Sequence, residues 1–202
     1  MGHSQAEKAE SRERILDAAA LKIRESGLDS LSIADLMKAA NLTHGGFYGH
    51  FPSRAALIAA ALVRAMNLGE SAMGDHPDTV ESFVERYLSE EHRDSIGIGC
   101  AVAALASDIG RLDDRDLREI MARRVEGYFE SMAKAMGNGP GAEKAAVAAW
   151  CTMVGALAIS RMFRGSRRAD EILAYARQSI LDLDSRVNPQ ARPGPGDGSV
   201  KQ

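Results

Sequence analysis

Ten consecutive residues hold most of the polar chemistry that this chain can offer an outside partner: Leu42-Thr43-His44-Gly45-Gly46-Phe47-Tyr48-Gly49-His50-Phe51. Thr43 supplies a hydroxyl where a helix is expected to begin, next to backbone N–H groups that such a start leaves unpaired and that suit a phosphate. His44 follows with both a donor and an acceptor at an exposed tip. Tyr48 can donate its phenol to a phosphate while its ring packs, and His50 is a further polar group. Gly45 and Gly46 each cost a helix about 1 kcal/mol relative to alanine, but they let another backbone come close. Phe47 and Phe51, four residues apart, fall on one helical face and would pin the segment to a core. Lys38 and Arg54 flank it, and no acidic residue occurs from Leu36 to Leu68. The residue types therefore point to an anionic partner met by one local surface. With 25 Lys and Arg against 28 Asp and Glu, the net charge is −3, so no global field would attract nucleic acid.

Other chemistries find less support. The five histidines, at positions 3, 44, 50, 76 and 92, have no zinc-ligand spacing with cysteine, and His44 and His50 are six apart, which is wrong for one helical face. Asp113, Asp114 and Asp116 read as a helix start favoured by the dipole rather than as catalytic carboxylates. Neither a phosphate-cradling glycine loop nor a Gly-x-Ser-x-Gly elbow is present. The expectation is a protein that is not an enzyme and uses no metal or cofactor. Cys100 and Cys151 are too few for a disulfide framework. The first twenty residues carry Glu7, Lys8, Glu10, Arg12 and Glu13 and no apolar run, so no secretory signal is read there. The longest uncharged stretch, Ala145 to Ser160, is short of the ~20 residues of a membrane span. A cytoplasmic protein without a membrane partner is expected.

The elements that position these residues read as helices throughout. Ile15, Ala19 and Ile23 line one face of a helix from Ser11 to Ser26, which Gly27 ends. Ser32 and Asp35 form a capping box that opens a short helix from Ile33 to Ala40. Asn41-Leu42 breaks it, and Thr43 is expected to cap a second short helix that reaches Phe51. Ser53 caps a longer one to about Leu68. The polar break from Gly69 to Pro77 divides the chain. Beyond it, Asp78 starts a helix with Phe83 and Tyr87, and Ala101 to Gly110 forms another. Asp113 caps a long helix with Met121, Val125, Tyr128 and Phe129. Ala142 to Phe163 and Ala169 to Leu183 are the last two helices. No window alternates like a strand. The expected fold is all-α with about nine helices. A domain over 9–68 holds the helix-turn-helix at about 32–51, a larger helical domain spans 78–185, and the tail over 186–202 is disordered.

A capped short helix, a tight turn and a second short helix make a helix-turn-helix, whose second helix enters the major groove of DNA. On that layout Thr43, His44 and Gly45 form the base-proximal tip. Lys38, Tyr48, His50 and Arg54 clamp phosphates, and Ser32 lies at the start of the first helix of the pair. The last two helices, rich in small and apolar residues, are expected to join two copies in a four-helix interface. Phe83, Tyr87, Cys100, Ala104, Met121, Val125, Tyr128, Phe129, Trp150 and Met153 are candidate walls of a pocket for a small apolar or aromatic molecule. Cys100 follows a glycine-broken connector at a helix start, where thiolate is favoured. A small-molecule-binding helical protein, or a redox or electrophile sensor acting through Cys100, is therefore the alternative reading.

The run from Leu42 to Leu57 resembles the signature of TetR-family transcriptional regulators, in which Tyr-x-x-Phe ends the recognition helix and a Ser-Lys pair opens the next. Here the corresponding residues are Tyr48, Phe51, Ser53 and Arg54. Arg14-Ile15-Leu16-x-Ala18-Ala19, Gly27 and Leu31-Ser32-Ile33-x-x-Leu36 are similar to the first two helices of that family. Arg54 replaces the usual lysine and keeps its charge. Gly49 falls where a basic residue is common in that family, so the phosphate contact that such a residue could offer is not expected here. Gly99-Cys100-Ala101-x-x-Ala104-Leu105-Ala106 and Gly155-Ala156-Leu157-Ala158-x-x-Arg161 are similar to one subgroup, less specifically. The resemblance implies a homodimer bound to double-stranded operator DNA. A small-molecule effector would release it, most simply as a repressor.

Overall fold

The computed structural model describes residues 5–73 and 79–189. Among these there are ten α-helices, two single 3₁₀ turns and no strand. They form two compact units, and the chain visits each more than once. The first unit contains the N-terminal helices and residues 90–124, and the second contains residues up to Ser89 after the break together with those from Val125 onward.

In the first unit, α1 (Gln5–Ser26) packs along α4 (Arg54–Met73), with α2 (Ile33–Ala39) and the four-residue α3 (Phe47–His50) between them in sequence. Ile15, Ala19 and Ile23 of α1 meet the core with Leu57, Ala61, Leu62 and Ala65 of α4, all fully buried. Leu36 and Met37 come from α2, and Phe47 and Phe51 from α3 and its end. Each leucine-sized side chain so buried contributes about 1.5–3 kcal/mol. Local chemistry sets the helix ends. Ser32 Oγ accepts the Asp35 N–H at 3.3 Å, and Ser53 Oγ accepts that of Ala56 at 3.1 Å. Gly27 ends α1 at φ 83°, and a Cβ there would lie 2.8 Å from Asp108 Oδ2. Asn41, at φ 59°, turns the chain out of α2, a conformation that asparagine tolerates better than most residues.

Also in this unit, α6 (Glu90–Asp94) and α7 (Ala101–Arg111) frame a glycine-rich connector, and α8 (Arg115–Ala135) begins. The guanidinium of Arg24 is buried here without a carboxylate hydrogen bond. It donates to the carbonyls of Ala20 at 3.0 Å, Ala65 at 3.1 Å and Gly99 at 3.3 Å. One side chain thus joins α1, α4 and the turn before α7.

In the second unit, α5 (Val80–Tyr87) and residues 125–135 of α8 accompany α9 (Ala142–Met162) and α10 (Arg167–Val187). A four-residue turn joins the last two, so they run antiparallel side by side. Ala145, Ala149, Met153, Ala156 and Leu157 meet Leu173, Ala176 and Ile180 along the seam. The alanines on α9 let the helices come close.

The helices differ from expectation mainly at their ends. The first helix begins at Gln5 rather than Ser11, because Gln5 to Glu10 are good helix formers with no breaker among them. Helix α4 runs to Met73, so the first part of the expected break is helical. Thr79, not Asp78, caps α5 by accepting the Ser82 N–H, and Asp78 lies outside the described residues. Asp114, not Asp113, caps α8, accepting the Leu117 N–H at 3.0 Å. Helix α6 was not foreseen, and most of the expected tail, 190–202, lies outside the described residues. Two helical stretches, Arg54–Ala72 and Ala142–Met162, have the length and hydropathy of a membrane span. Both line the unit cores just described, and a helix packed in a core can share that length and composition.

Candidate nucleic-acid interface

The chain leaves α2 through a close turn. Asn41 N–H donates to Lys38 O at 3.0 Å and Leu42 N–H to Met37 O at 2.8 Å. The segment after it differs from the expected capped helix. Thr43 makes no side-chain cap, and His44–Gly46 form a 3₁₀ turn before α3 starts at Phe47. Two adjacent glycines give the backbone too little helical preference to hold a longer helix. The consequence is a short, tightly wound presentation in which Thr43, His44 and Gly45 are all exposed.

Below this tip the aromatic pair holds as the spacing implied. Phe47 and Phe51 are 1% and 2% exposed, with ring centroids 5.8 Å apart. Tyr48 stands 72% exposed, its ring edge-on to Phe47 at 5.2 Å. A phenol that is solvated but braced at its ring can reach outward without much loss of side-chain freedom. A Cβ added at Gly45 or Gly49 would meet nothing within 4 Å. Both glycines therefore face open space, into which another molecule can move. Lys38 is exposed on α2. Ser32 spends a lone pair on the α2 cap but keeps its O–H for another acceptor.

Two basic residues of the segment are occupied otherwise. The Arg54 guanidinium lies 3.4 and 3.5 Å from the carbonyls of Leu31 and Leu28. It also lines an open cleft of about 240 Å³ with Asp29, Asp113 and Asp114. Arg64 pairs with Asp17 at 2.7 Å and Glu13 at 3.1 Å, tying α4 to α1. Sequence reasoning missed Lys8 and Arg12. The early start of α1 makes both helical, and Arg12 lies over the Phe51 ring, 5.0 Å from its centroid. The helix-forming composition of residues 5–10 was the available signal.

The candidate pocket residues separate. Cys100, Ala104 and Met121 belong to the first unit, and the remaining seven to the second. There, Trp150 stacks on Tyr128 with centroids 4.7 Å apart, meets Tyr87 edge-on at 5.5 Å and lies 5.9 Å from Phe83. Its indole N–H donates to Tyr128 O at 3.0 Å. Met153 is fully buried, while Val125 and Phe129 are half-buried. Among the described residues, no three His, Cys, Asp or Glu side chains gather as metal ligands.

Comparisons with known proteins agree with this geometry. Residues 15–61 match the family model for bacterial regulatory proteins of the tetR family. An uncharacterized HTH-type transcriptional regulator of Mycobacterium tuberculosis is 26% identical, covering 84% of this chain and 94% of its own. The HTH-type transcriptional repressor NemR of Escherichia coli is 23% identical over 64% of this chain and 69% of its own. Among solved structures, a TetR transcriptional regulator from Chloroflexus aurantiacus superimposes with a TM-score of 0.73 at 23% identity, covering 90% of this chain and 98% of that one. The reduced form of E. coli NemR gives 0.69 at 20% identity, covering 86% and 97%. The first helices thus match the family model for bacterial regulatory proteins of the tetR family, and the fold of the chain is similar to that of solved TetR regulators.

Proposed function

We propose that the protein is a cytoplasmic, homodimeric, sequence-specific DNA-binding regulator of transcription rather than an enzyme. It acts as a repressor that leaves its operator when a small apolar or aromatic effector enters the second unit. One observation carries the DNA-binding part. Thr43, His44, Gly45 and Tyr48 are exposed together on a ridge fixed from beneath by Phe47 and Phe51, in a stretch free of acidic residues from Leu36 to Leu68. His44 and Gly45 are assigned to base edges, with Thr43 beside them. Lys38, Tyr48, His50 and Ser32 are assigned to the backbone. Arg54 keeps a phosphate role only by leaving the carbonyls that it now contacts.

Dimerisation is assigned to α9 and α10. Val147, Cys151, Ile159 and Met162 form an exposed strip along α9, with Met162 80% exposed, and Tyr175 is 65% exposed on α10. Such a strip is costly in water and suits a second copy of itself. Two recognition segments must sit about 34–36 Å apart to engage one face of DNA together. An effector with unequal affinity for the two arrangements shifts that spacing. The aromatic cluster around Trp150 supports an aromatic or apolar effector. Because its rings already touch, a ligand would have to displace one of them.

The test is selection of bound sequences from a random duplex pool, repeated at two salt concentrations. Enrichment of a pseudo-palindrome, with affinity falling steeply with salt, is the expected result. Folded dimer that enriches nothing under either condition would overturn the reading.

A second reading concerns what triggers release. Cys100 is half-buried at the start of α7, its N–H donating to His92 Nε2 at 2.9 Å. The buried Arg24 guanidinium reaches the same turn, donating to the carbonyl of Gly99, the residue before Cys100, at 3.3 Å. NemR has been solved in what is described as a reduced form. On this reading an electrophile that adds to the Cys100 sulfur replaces the reversible effector. Cys100→Ser would then bind DNA normally but keep it on exposure to electrophile, whereas release equal to that of the parent protein rules this trigger out.

A further inference from the structure

His50 closes α3 with its Nδ1 buried and without a hydrogen-bond partner. The charges that bear on it are those of Lys8 and Arg12, one turn apart on α1. Arg12 is held nearby by the Phe51 ring, the residue next to His50. Its own acidic neighbour is Glu13 at 3.7 Å, with both side chains about half exposed, and such a pair is weak in water. Burial, then Lys8, then Arg12 hold the imidazole below its ordinary value, which favours its neutral form. Two cations of α1 and a group able to become a third are thus placed together, the third on the same short segment that bears the exposed ridge. Like charges so gathered repel one another, and an arriving anion reverses that cost.

We propose that Lys8, Arg12 and His50 form one phosphate-binding site, and that His50 takes up a proton from solvent as the DNA backbone arrives. The proposal rests on the DNA-binding reading and deepens it: α1 joins the interface, and binding becomes linked to pH. The proton adds to the free nitrogen of a neutral imidazole and makes a second N–H donor. The phosphodiester keeps its charge, and no covalent bond changes. The sign follows. A nearby phosphate favours the imidazolium, so the bound His50 holds its proton to higher pH than the free one. Affinity therefore rises as pH falls through the interval between those two values. It levels off below the interval, where the free protein is already protonated, and above it, where neither state is.

The experiment uses the full chain and a short random-sequence duplex at fixed low salt, with binding followed by fluorescence anisotropy from about pH 5.5 to 8.5. For the parent protein, affinity is expected to fall by up to about tenfold per pH unit across the interval, the limit for one linked proton. His50→Gln should flatten that slope and leave the helical circular dichroism unchanged. Lys8→Gln and Arg12→Gln should each lower the salt slope by about one. The double variant should also raise the His50 titration midpoint of the free protein, read by NMR, which does not require His50 to be replaced. A parent pH slope retained in His50→Gln, or an unmoved midpoint in the double variant, would overturn the linkage while leaving DNA binding intact. If the parent protein bound no duplex at any pH, both readings would fall.

Discussion

The recognition ridge and the aromatic cluster around Trp150 are built from the same residue types on opposite plans. On the ridge, two buried phenylalanines support polar groups that stand in solvent. In the second unit, Phe83, Tyr87, Tyr128 and Trp150 turn toward one another. The first arrangement is finished before its partner comes. The second has filled its own interior and can take a guest only by moving a ring. A preformed surface loses little freedom on binding, whereas a self-filled cluster resists ligands that offer less contact than the ring they displace. On the function proposed above, the difference suits a protein that stays on DNA until a well-matched effector arrives.

Phe47→Ala should break this comparison most severely. It removes a fully buried ring that supports the ridge, and about 3–5 kcal/mol of stability should go with it. Urea unfolding measures the loss, and DNA binding should fail with it. Unchanged stability would mean that the ridge is held by something else. His44→Ala should leave stability alone and alter sequence preference by about 1–3 kcal/mol at one base step, read by repeating the pool selection. An identical selected site would remove His44 from the tip. Tyr48→Phe deletes one outward hydroxyl and should weaken all duplexes alike by about 0.5–1.5 kcal/mol. A change in preference instead would make Tyr48 a base reader.

The smallest effect lies on the other side of the comparison. Asp184, on α10, is 8% exposed, its Oδ1 lacks a partner, and burial raises its carboxyl above the usual range. A raised carboxyl opposes folding when charged, so its penalty is present at neutral pH and fades as pH falls through the folded-state value. Asp184→Asn should therefore stabilise the protein slightly at pH 7.5, and less in mild acid. Denaturation midpoints at the two pH values test this, and an equal shift at both would remove the charge from the account.

What the sequence made legible was local. Ser32, Ser53 and Gly27 set helix ends through groups a few residues away, and Phe47 and Phe51 share a face because four residues make about one turn. What stayed hidden depends on long-range packing. Lys8 and Arg12 bear on His50 only because α1 packs beside the end of α3, forty residues later. Arg54 looked like a free cation, but carbonyls 23 and 26 residues before it receive it. The pocket candidates mixed two units, because periodicity tells which face of a helix is apolar but not which helix will cover it. The 3₁₀ turn at His44–Gly46 escaped for a smaller reason: a Thr followed by polar and glycine residues signals a cap without fixing which kind of turn follows.

The buried Arg24 has a kinetic meaning. Its donors are spent on carbonyls of α1, α4 and the turn before α7. Peeling any one of these away leaves a charged group in the interior short of acceptors, so partial detachment is steeply uphill. Opening of the first unit should then be concerted, with backbone amides of α1 and α4 exchanging with solvent at a common rate. A protease would meet this unit either closed or wholly open.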